Sequence, residues 1–220
     1  MNKLNLLKVI GAVIVSYGLV SCSEQSANQS RGVYMLLDTS GTYTQELEKA
    51  QQVINVILAK MNPGDSFAVA RIDTASFSEK DIVAKVTFDD RPSMTNKQKR
   101  VFKESIDKFV KGVDSASYTD ITGGVLQAIE YLREKGTGKN TILIYSDLKE
   151  EIKEGYNRDV PLDLLGFDLV ALNVTKLRTD NIDPNQYLGR LADWKKKVEI
   201  NGGEWRVIND MERLEKILPN

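Results

Sequence analysis

Residues 33–42 read VYMLLDTSGT, and this stretch decides the fold. Its first half is a continuous apolar run, which is typical of a strand buried on both faces of a parallel sheet. Its second half places the carboxylate of Asp38 and the hydroxyl groups of Thr39, Ser40 and Thr42 in a tight turn. A buried strand that ends in such a turn predicts a site at the carboxyl edge of a sheet.

Strands and helices alternate along the rest of the chain. Apolar or alternating runs predict five further strands, at residues 66–72, 82–88 (an edge strand with one face in water), 141–145, 169–174 and 205–208. Apolar residues at helical spacing predict helices at 44–61, at 96–111, from 120 onward, around 187–198 and at 211–218. This alternation implies right-handed crossovers. The sequence therefore predicts an α/β fold with a doubly wound, mostly parallel sheet and helices on both faces.

Two more loops carry oxygen donors at the same predicted edge. Ser146 and Asp147 follow the strand at 141–145, and Thr119 and Asp120 stand just before the third helix. Because the carboxyl ends of parallel strands meet at one edge, we expect these loops to converge with the first. A donor set with few carboxylates and several hydroxyls suits a small, hard cation such as Mg²⁺, which keeps several waters.

These residues bear a family resemblance. Asp38-x-Ser40-x-Thr42, then Thr119, then Asp147, resembles the metal-ion-dependent adhesion site of the von Willebrand factor type A domain. The resemblance implies that these five residues bind Mg²⁺ or Mn²⁺, with hydroxyl groups on the metal and the aspartates acting largely through water. It also implies that an acidic side chain of a protein partner completes the metal shell. The expected function is thus protein binding without catalysis.

The match departs from the family pattern in one loop and is ambiguous in another. Residues 146–148 read Ser-Asp-Leu, where the family usually has Thr-Asp-Gly. Near Thr119, the hydroxyls of Ser117 and Thr122 are alternative ligands. Each hydroxyl of the site could instead cap a helix, and Asp147 could accept a hydrogen bond within its own turn.

The surroundings of the three motifs suggest a rim for the partner. Tyr43, Tyr118 and Leu148 adjoin the motifs in sequence, and such residues either anchor interfaces or pack beneath loops. The charged segment 149–154 is typical of a solvated face, although its position after Asp147 brings it near the expected binding surface.

The N-terminal part indicates export. Lys3 and Lys8, with no acidic residue, precede an apolar run from Val9 to Val20, a layout typical of a secretory signal and too short for a spanning helix. Residues 19–22, Leu-Val-Ser-Cys, resemble a bacterial lipobox. That resemblance implies cleavage before Cys22 and attachment of acyl chains such as palmitate to its sulfur and amine. A plain signal peptide or a short N-terminal anchor is the alternative.

The lipoprotein resemblance divides the chain into three parts. Residues 1–21 are the expected signal peptide, residues 22–31 the lipidated cysteine and a polar tether, and residues 32–220 the A-type domain. The expected location is the bacterial cell envelope, anchored by lipid. Ser23, rather than an aspartate, follows Cys22, and by resemblance to lipoprotein sorting in enterobacteria this favours the outer membrane, at its periplasmic face or at the cell surface.

Composition excludes several function classes. The chain has no histidine, which excludes a Ser-His-Asp triad, a Cys-His dyad and histidine-bearing zinc sites. Cys22 is the only cysteine, so its lipidation leaves no thiol for catalysis or a disulfide. The formal net charge is −1 and there is no basic stripe, so no nucleic-acid partner is expected.

One enzymatic alternative remains. Residues 38–42 also resemble the opening Asp-x-Asp-Gly-Thr of haloacid-dehalogenase phosphatases, in which the first aspartate accepts the phosphoryl group. That resemblance implies a metal-dependent phosphatase with Asp38 as nucleophile. The family needs a second aspartate as general acid, and Ser40, which holds that position in this chain, cannot supply the proton transfer.

Overall fold

The computed structural model describes residues 29–41, 46–74, 77–174, 183–210 and 217–218. Within these ranges, six strands form one sheet: β1 Arg31–Asp38, β2 Ser66–Ile72, β3 Ile82–Thr87, β4 Lys139–Tyr145, β5 Phe167–Leu172 and β6 Glu204–Ile208. The α-helices in the same ranges are α1 Leu47–Lys60, α2 Pro92–Gly112, α3 Ile121–Lys135 and α4 Pro184–Ile200. A 3₁₀ turn, Glu79–Asp81, precedes β3.

The sheet is doubly wound, as the sequence predicts. Its strand order is β3-β2-β1-β4-β5-β6, and every neighbouring pair is parallel except β2 and β3. The chain first runs outward from β1 to β3 and then returns to the other side of β1 with β4. The order therefore reverses between β1 and β4, and ligands of open α/β sheets bind in the crevice beyond such a point. Leu37 pairs with Tyr145, so Asp38 and Ser146 follow side by side.

Two apolar cores cover the faces of the sheet. Side chains alternate along β1, so that Val33, Met35 and Leu37 pack on one face and Tyr34 and Leu36 on the other. The first core contains the buried sides of α1 and α2, and the second contains those of α3 and α4. With both faces covered, the central strands read as continuous apolar runs, which is why the sequence identified them.

One glycine sets how closely α3 approaches the sheet. A Cβ atom at Gly124 would come within 2.8 Å of Leu36 Cδ2, so only glycine fits without a shift of the neighbouring core. Gly124 lies in the first turn of α3. The close approach therefore brings the residues just before α3, including Thr119, beside the carboxyl end of β1.

Several element boundaries differ from the sequence predictions, and two of these differences have a clear physical cause. Helix α2 begins at Pro92 rather than residue 96, because proline is well suited to the first turn of a helix, where its missing N–H is not needed. Arg31, assigned to the tether, is the first residue of β1, and its N–H donates to Asp65 Oδ1 at 2.7 Å. The charge of Arg31 is also paired with Asp65, which explains why a polar residue begins the buried strand.

Some predictions fall outside the described residues. They concern Cys22 and the tether up to residue 28, the ligand Thr42, the rim residue Tyr43 and most of the helix at 211–218. Of that last segment only Ile217 and Leu218 are described, and both are buried in the first core. Among the described helices, none is both long and apolar enough to cross a membrane.

Candidate metal-binding site

A cavity of about 280 Å³ lies at the carboxyl ends of β1 and β4. Three loops form its wall: the loop after β1, the loop before α3 and the loop after β4. The lining residues are Ser40, Gly41, Ala116, Ser117, Thr119, Asp147, Lys149 and Glu151. The structure thus brings three of the five predicted ligands, Ser40, Thr119 and Asp147, to one cavity. Asp38 is buried two residues before Ser40.

Backbone hydrogen bonds hold the three loops together. The N–H of Ala116 donates to the carbonyl oxygen of Thr39 at 2.8 Å. On the other side, Thr119 and Glu151 exchange two backbone hydrogen bonds of 2.9 and 3.0 Å. The loop before α3 is therefore clamped between its two neighbours, which fixes Thr119 relative to Ser40 and Asp147.

Asp38 is a desolvated carboxylate with both oxygens engaged. It is 1% exposed, and it accepts hydrogen bonds from Ser40 N–H to Oδ1 at 2.9 Å and from Ser146 Oγ to Oδ2 at 2.6 Å. Burial raises the pKa of Asp38, the hydrogen bonds from Ser146 and Ser40 lower it, and the charge of Glu151 raises it further, with a net increase. The side chain is thus oriented by fixed hydrogen-bond donors, while its negative charge is buried away from solvent.

Asp147 is held in a similar way. Its Oδ1 accepts from the N–H of Lys149 at 2.8 Å, so the turn interaction expected as the alternative to metal binding is present. Burial raises the pKa of Asp147, the bond from Lys149 lowers it, and the charge of Asp38 raises it, again with a net increase. Arg190 donates from Nε to the backbone oxygen of Asp147 at 3.0 Å.

The donor set fits a hard divalent cation. Burial disfavours the ionised forms of Asp38 and Asp147, the charge of Asp38 adds to this effect at Asp147, and a cation beside both would oppose it. In the described ranges no three His, Cys, Asp or Glu side chains gather closely enough to hold a metal by themselves. Coordination at this cavity would therefore depend on hydroxyl groups and water, which Mg²⁺ accepts.

Leu148 corrects the rim prediction. It is 2% exposed and belongs to the core beneath α3 and α4, so it packs under the loop rather than facing a partner. Its φ of 66° lies in the left-handed region, which non-glycine residues rarely adopt. This explains why glycine suits the position in the family pattern. The N–H of Leu148 donates to Ser146 Oγ at 3.0 Å, and its carbonyl accepts from Trp194 Nε1 at 3.3 Å.

The structure distinguishes the alternative second-loop hydroxyls. Ser117 lines the cavity together with Thr119. Thr122 lies elsewhere: its Oγ1 donates to Glu150 Oε2 at 3.0 Å and lies 2.5 Å from the Nζ of Lys197. Thr122 is therefore already engaged and does not line the cavity.

Helix capping does not explain Thr119. The residue that caps α3 is Asp120, which accepts the N–H of Gly123 at 2.8 Å. Asp120 is 1% exposed and also pairs with Arg158, whose Nη2 lies 2.7 Å from Oδ2. Sequence reasoning missed Arg158, because it lies in a long polar loop, 38 residues from its partner, without a motif around it.

The remaining predicted rim residue in the described ranges is Tyr118. It is 37% exposed and immediately precedes Thr119, which lines the cavity, although Tyr118 itself is not a lining residue. The phosphatase alternative requires a second aspartate as general acid, and Ser40 occupies that position. Both oxygens of Asp38, the nucleophile in that alternative, already accept hydrogen bonds.

Comparisons with known proteins identify the fold. No protein-family model matches the chain, and no curated protein matches it. Among solved structures, a von Willebrand factor type A protein from Catenulispora acidiphila is 14% identical over 86% of this chain and 41% of its own, with a TM-score of 0.55. The pilus adhesin SpaC from Lactobacillus rhamnosus GG is 10% identical over 87% of this chain and 29% of its own, with a TM-score of 0.53.

Both similarities cover less than half of the other protein, and both lie at low sequence identity. They establish the arrangement of strands and helices, whereas the function of the site has to be inferred from its own residues. The strand order, the two covered faces and these similarities agree: the chain has the von Willebrand factor type A fold.

Proposed function

We propose that this chain is an envelope lipoprotein whose A-type domain binds a protein partner through Mg²⁺ or Mn²⁺, without catalysis. The observation that carries the proposal is the cavity at the reversal point of the sheet, where hydroxyl groups meet two desolvated aspartates. The residues that would hold the ion are Asp38, Ser40, Thr42, Thr119 and Asp147. When bound, the ion supplies an electrophilic position that attracts an anionic group.

The chemistry of the donors favours an acidic partner. Hydroxyl groups are neutral, and the two aspartates are tied to hydrogen-bond donors of the protein. Direct negative charge on the ion is therefore scarce, and a carboxylate is favoured over a neutral group once water is excluded. Tyr118, partly exposed beside Thr119, is the described aromatic residue best located to contact such a partner.

The direction of β1 supports a tethered binding domain. The strand runs from Arg31 to Asp38, and its eight residues span about 26 Å at about 3.3 Å per residue. The segment leading back to Cys22 therefore joins the domain at the end opposite the cavity. A lipid on Cys22 would therefore attach the domain by the end opposite the cavity, which leaves the cavity accessible to a partner in the envelope or outside the cell.

Metal binding is tested by thermal unfolding of the full chain in detergent, with Mn²⁺ or with a chelator. An ion present at 100 times its Kd stabilises the folded state by about 2.7 kcal/mol, which corresponds to an increase in Tm of about 5–10 °C for a domain of this size. Asp38→Asn should abolish this increase. In chelator, Asp38→Asn should be at least as stable as wild type, because burial raises the pKa of Asp38 and so makes its charge unfavourable.

An unchanged Tm of the wild type across the Mn²⁺ series would refute the metal site. Asparagine is preferred to alanine because it can still accept the N–H of Ser40. Hydrolysis of a phosphate monoester by wild type, lost in Asp38→Asn, would favour the phosphatase alternative instead.

Partner binding and lipidation need separate tests. Purification of the chain from detergent-solubilised membranes, with Mg²⁺ or with chelator present throughout, should recover a partner only with Mg²⁺ and only with Asp38 intact. Equal recovery in all conditions would assign binding to another face.

Metabolic labelling with a fatty acid should label wild type and not Cys22→Ala, and equal labelling would exclude lipid attachment at that cysteine.

A further inference from the structure

Two charged side chains that the site motif does not include also line the cavity. They are Lys149 and Glu151, from the loop after β4, and their Nζ and Oε1 atoms lie 2.5 Å apart. Both side chains are 52% exposed, so they stand at the open side of the cavity rather than in the core. A site suited to a cation and an acidic group thus contains a cation and an anion of its own.

Both residues are attached to the cavity wall at fixed points. Glu151 exchanges two backbone hydrogen bonds with Thr119, and the N–H of Lys149 donates to Asp147 Oδ1. Thr119 and Asp147 are two of the proposed metal-binding residues. The side chains of Lys149 and Glu151 therefore start next to these positions, and rotation about their own bonds is enough to move either charge toward or away from an ion.

The charges of the pair lie beside the proposed metal-binding residues. Lys149 and Glu151 line the same cavity as Ser40, Thr119 and Asp147. Because the interaction between charges falls with distance, each side chain lies close enough to change the electrostatic potential where an ion would bind.

We infer that the Lys149–Glu151 ion pair sets the cation affinity of this site, with Glu151 supplying negative charge that Lys149 partly offsets. The inference rests on the proposed metal binding. Neighbouring charges of the segment provide the contrast: Lys153 and Glu154 are exposed and do not line the cavity. They carry the same kinds of charge a few residues farther along.

Opposite effects are expected from the two members of the pair. Glu151→Gln removes negative charge and leaves the Lys149 charge uncompensated, so Mn²⁺ should bind about threefold to tenfold more weakly. Lys149→Gln leaves Glu151 available to the ion, so Mn²⁺ should bind more tightly by a similar factor. The double variant, neutral at both positions, should lie within about twofold of wild type.

Mn²⁺ titration of the full chain in detergent, followed by calorimetry and by the paramagnetic signal of unbound Mn²⁺, measures these affinities. Lys153→Gln and Glu154→Gln are the matched controls and should bind as wild type does. Thermal unfolding in chelator should give the same Tm for all variants. A purely structural role of Lys149 or Glu151 would instead change the Tm of its variant.

Three results would overturn the inference. Affinities of Glu151→Gln and Lys149→Gln that equal those of the controls would overturn it while leaving the metal site intact. Changes in the same direction for both variants would also overturn it, because they would indicate a disturbed loop rather than a charge effect. Absence of Mn²⁺ binding by wild type would refute the proposed function, and this inference with it.

Discussion

Leu148 combines a left-handed backbone with a buried side chain, and these two features can be separated by mutation. Its φ is 66° and its side chain is 2% exposed. Leu→Ala at a buried position costs about 2–5 kcal/mol, and alanine still has the left-handed penalty of about 1–2 kcal/mol. Glycine loses the same packing but avoids that penalty. We therefore expect Leu148→Gly to be about 1 kcal/mol more stable than Leu148→Ala, both being less stable than wild type.

Leu162 provides the matched control. It is also 2% exposed, belongs to the same core and does not have a positive φ. In ordinary backbone regions glycine is less favourable than alanine by about 0.5–1 kcal/mol, owing to the conformational entropy of the unfolded chain. Leu162→Gly should therefore be less stable than Leu162→Ala. The order of the glycine and alanine variants should be opposite at the two positions.

Urea denaturation in chelator measures the four free energies of unfolding by linear extrapolation. Chelator keeps metal binding out of the comparison. If glycine is the less stable variant at residue 148 as well as at 162, the backbone at Leu148 is not left-handed in solution, and the third loop does not depend on a strained residue.

Three further substitutions test the packing and the charges around the site. Gly124→Ala should lower the free energy of unfolding by about 1 kcal/mol net, because the clash at Leu36 outweighs the better helix propensity. Gly189→Ala, where a Cβ meets nothing within 4 Å, should raise the free energy of unfolding by about 1 kcal/mol. If urea denaturation shows changes of the same sign for the two glycine-to-alanine variants, the packing argument is refuted. Arg158→Gln should cost about 3 kcal/mol, because it removes the cation that pairs with the buried charge of Asp120 and leaves only the helix cap, and a loss below about 1 kcal/mol would show that water replaces the arginine.

The sequence predicts the parts of the structure that depend on local pattern. The apolar run before Asp38 and the helical spacing of α1 specify burial directly, and the alternation of elements specifies the sheet. Interactions between distant residues escaped prediction. The hydrogen bond from Ser146 to Asp38 joins residues 108 positions apart and requires the register of β1 and β4. For the segment 149–154, charge predicts a solvated face and position predicts a place near the binding surface, but neither indicates that Lys149 and Glu151 pair with each other beside the cavity.

The strained third loop stays in place because helix α4 holds its backbone. Arg190 donates to the carbonyl oxygen of Asp147, and Trp194 donates to that of Leu148. The hydrogen bond from Leu148 to Ser146 adds a third restraint on two consecutive residues. Strained backbone conformations persist where surrounding contacts over-determine them. Core packing of Leu148 and the hydrogen bonds from α4 therefore stabilise a left-handed backbone that glycine would adopt without strain, and the conformation of this loop depends on α4.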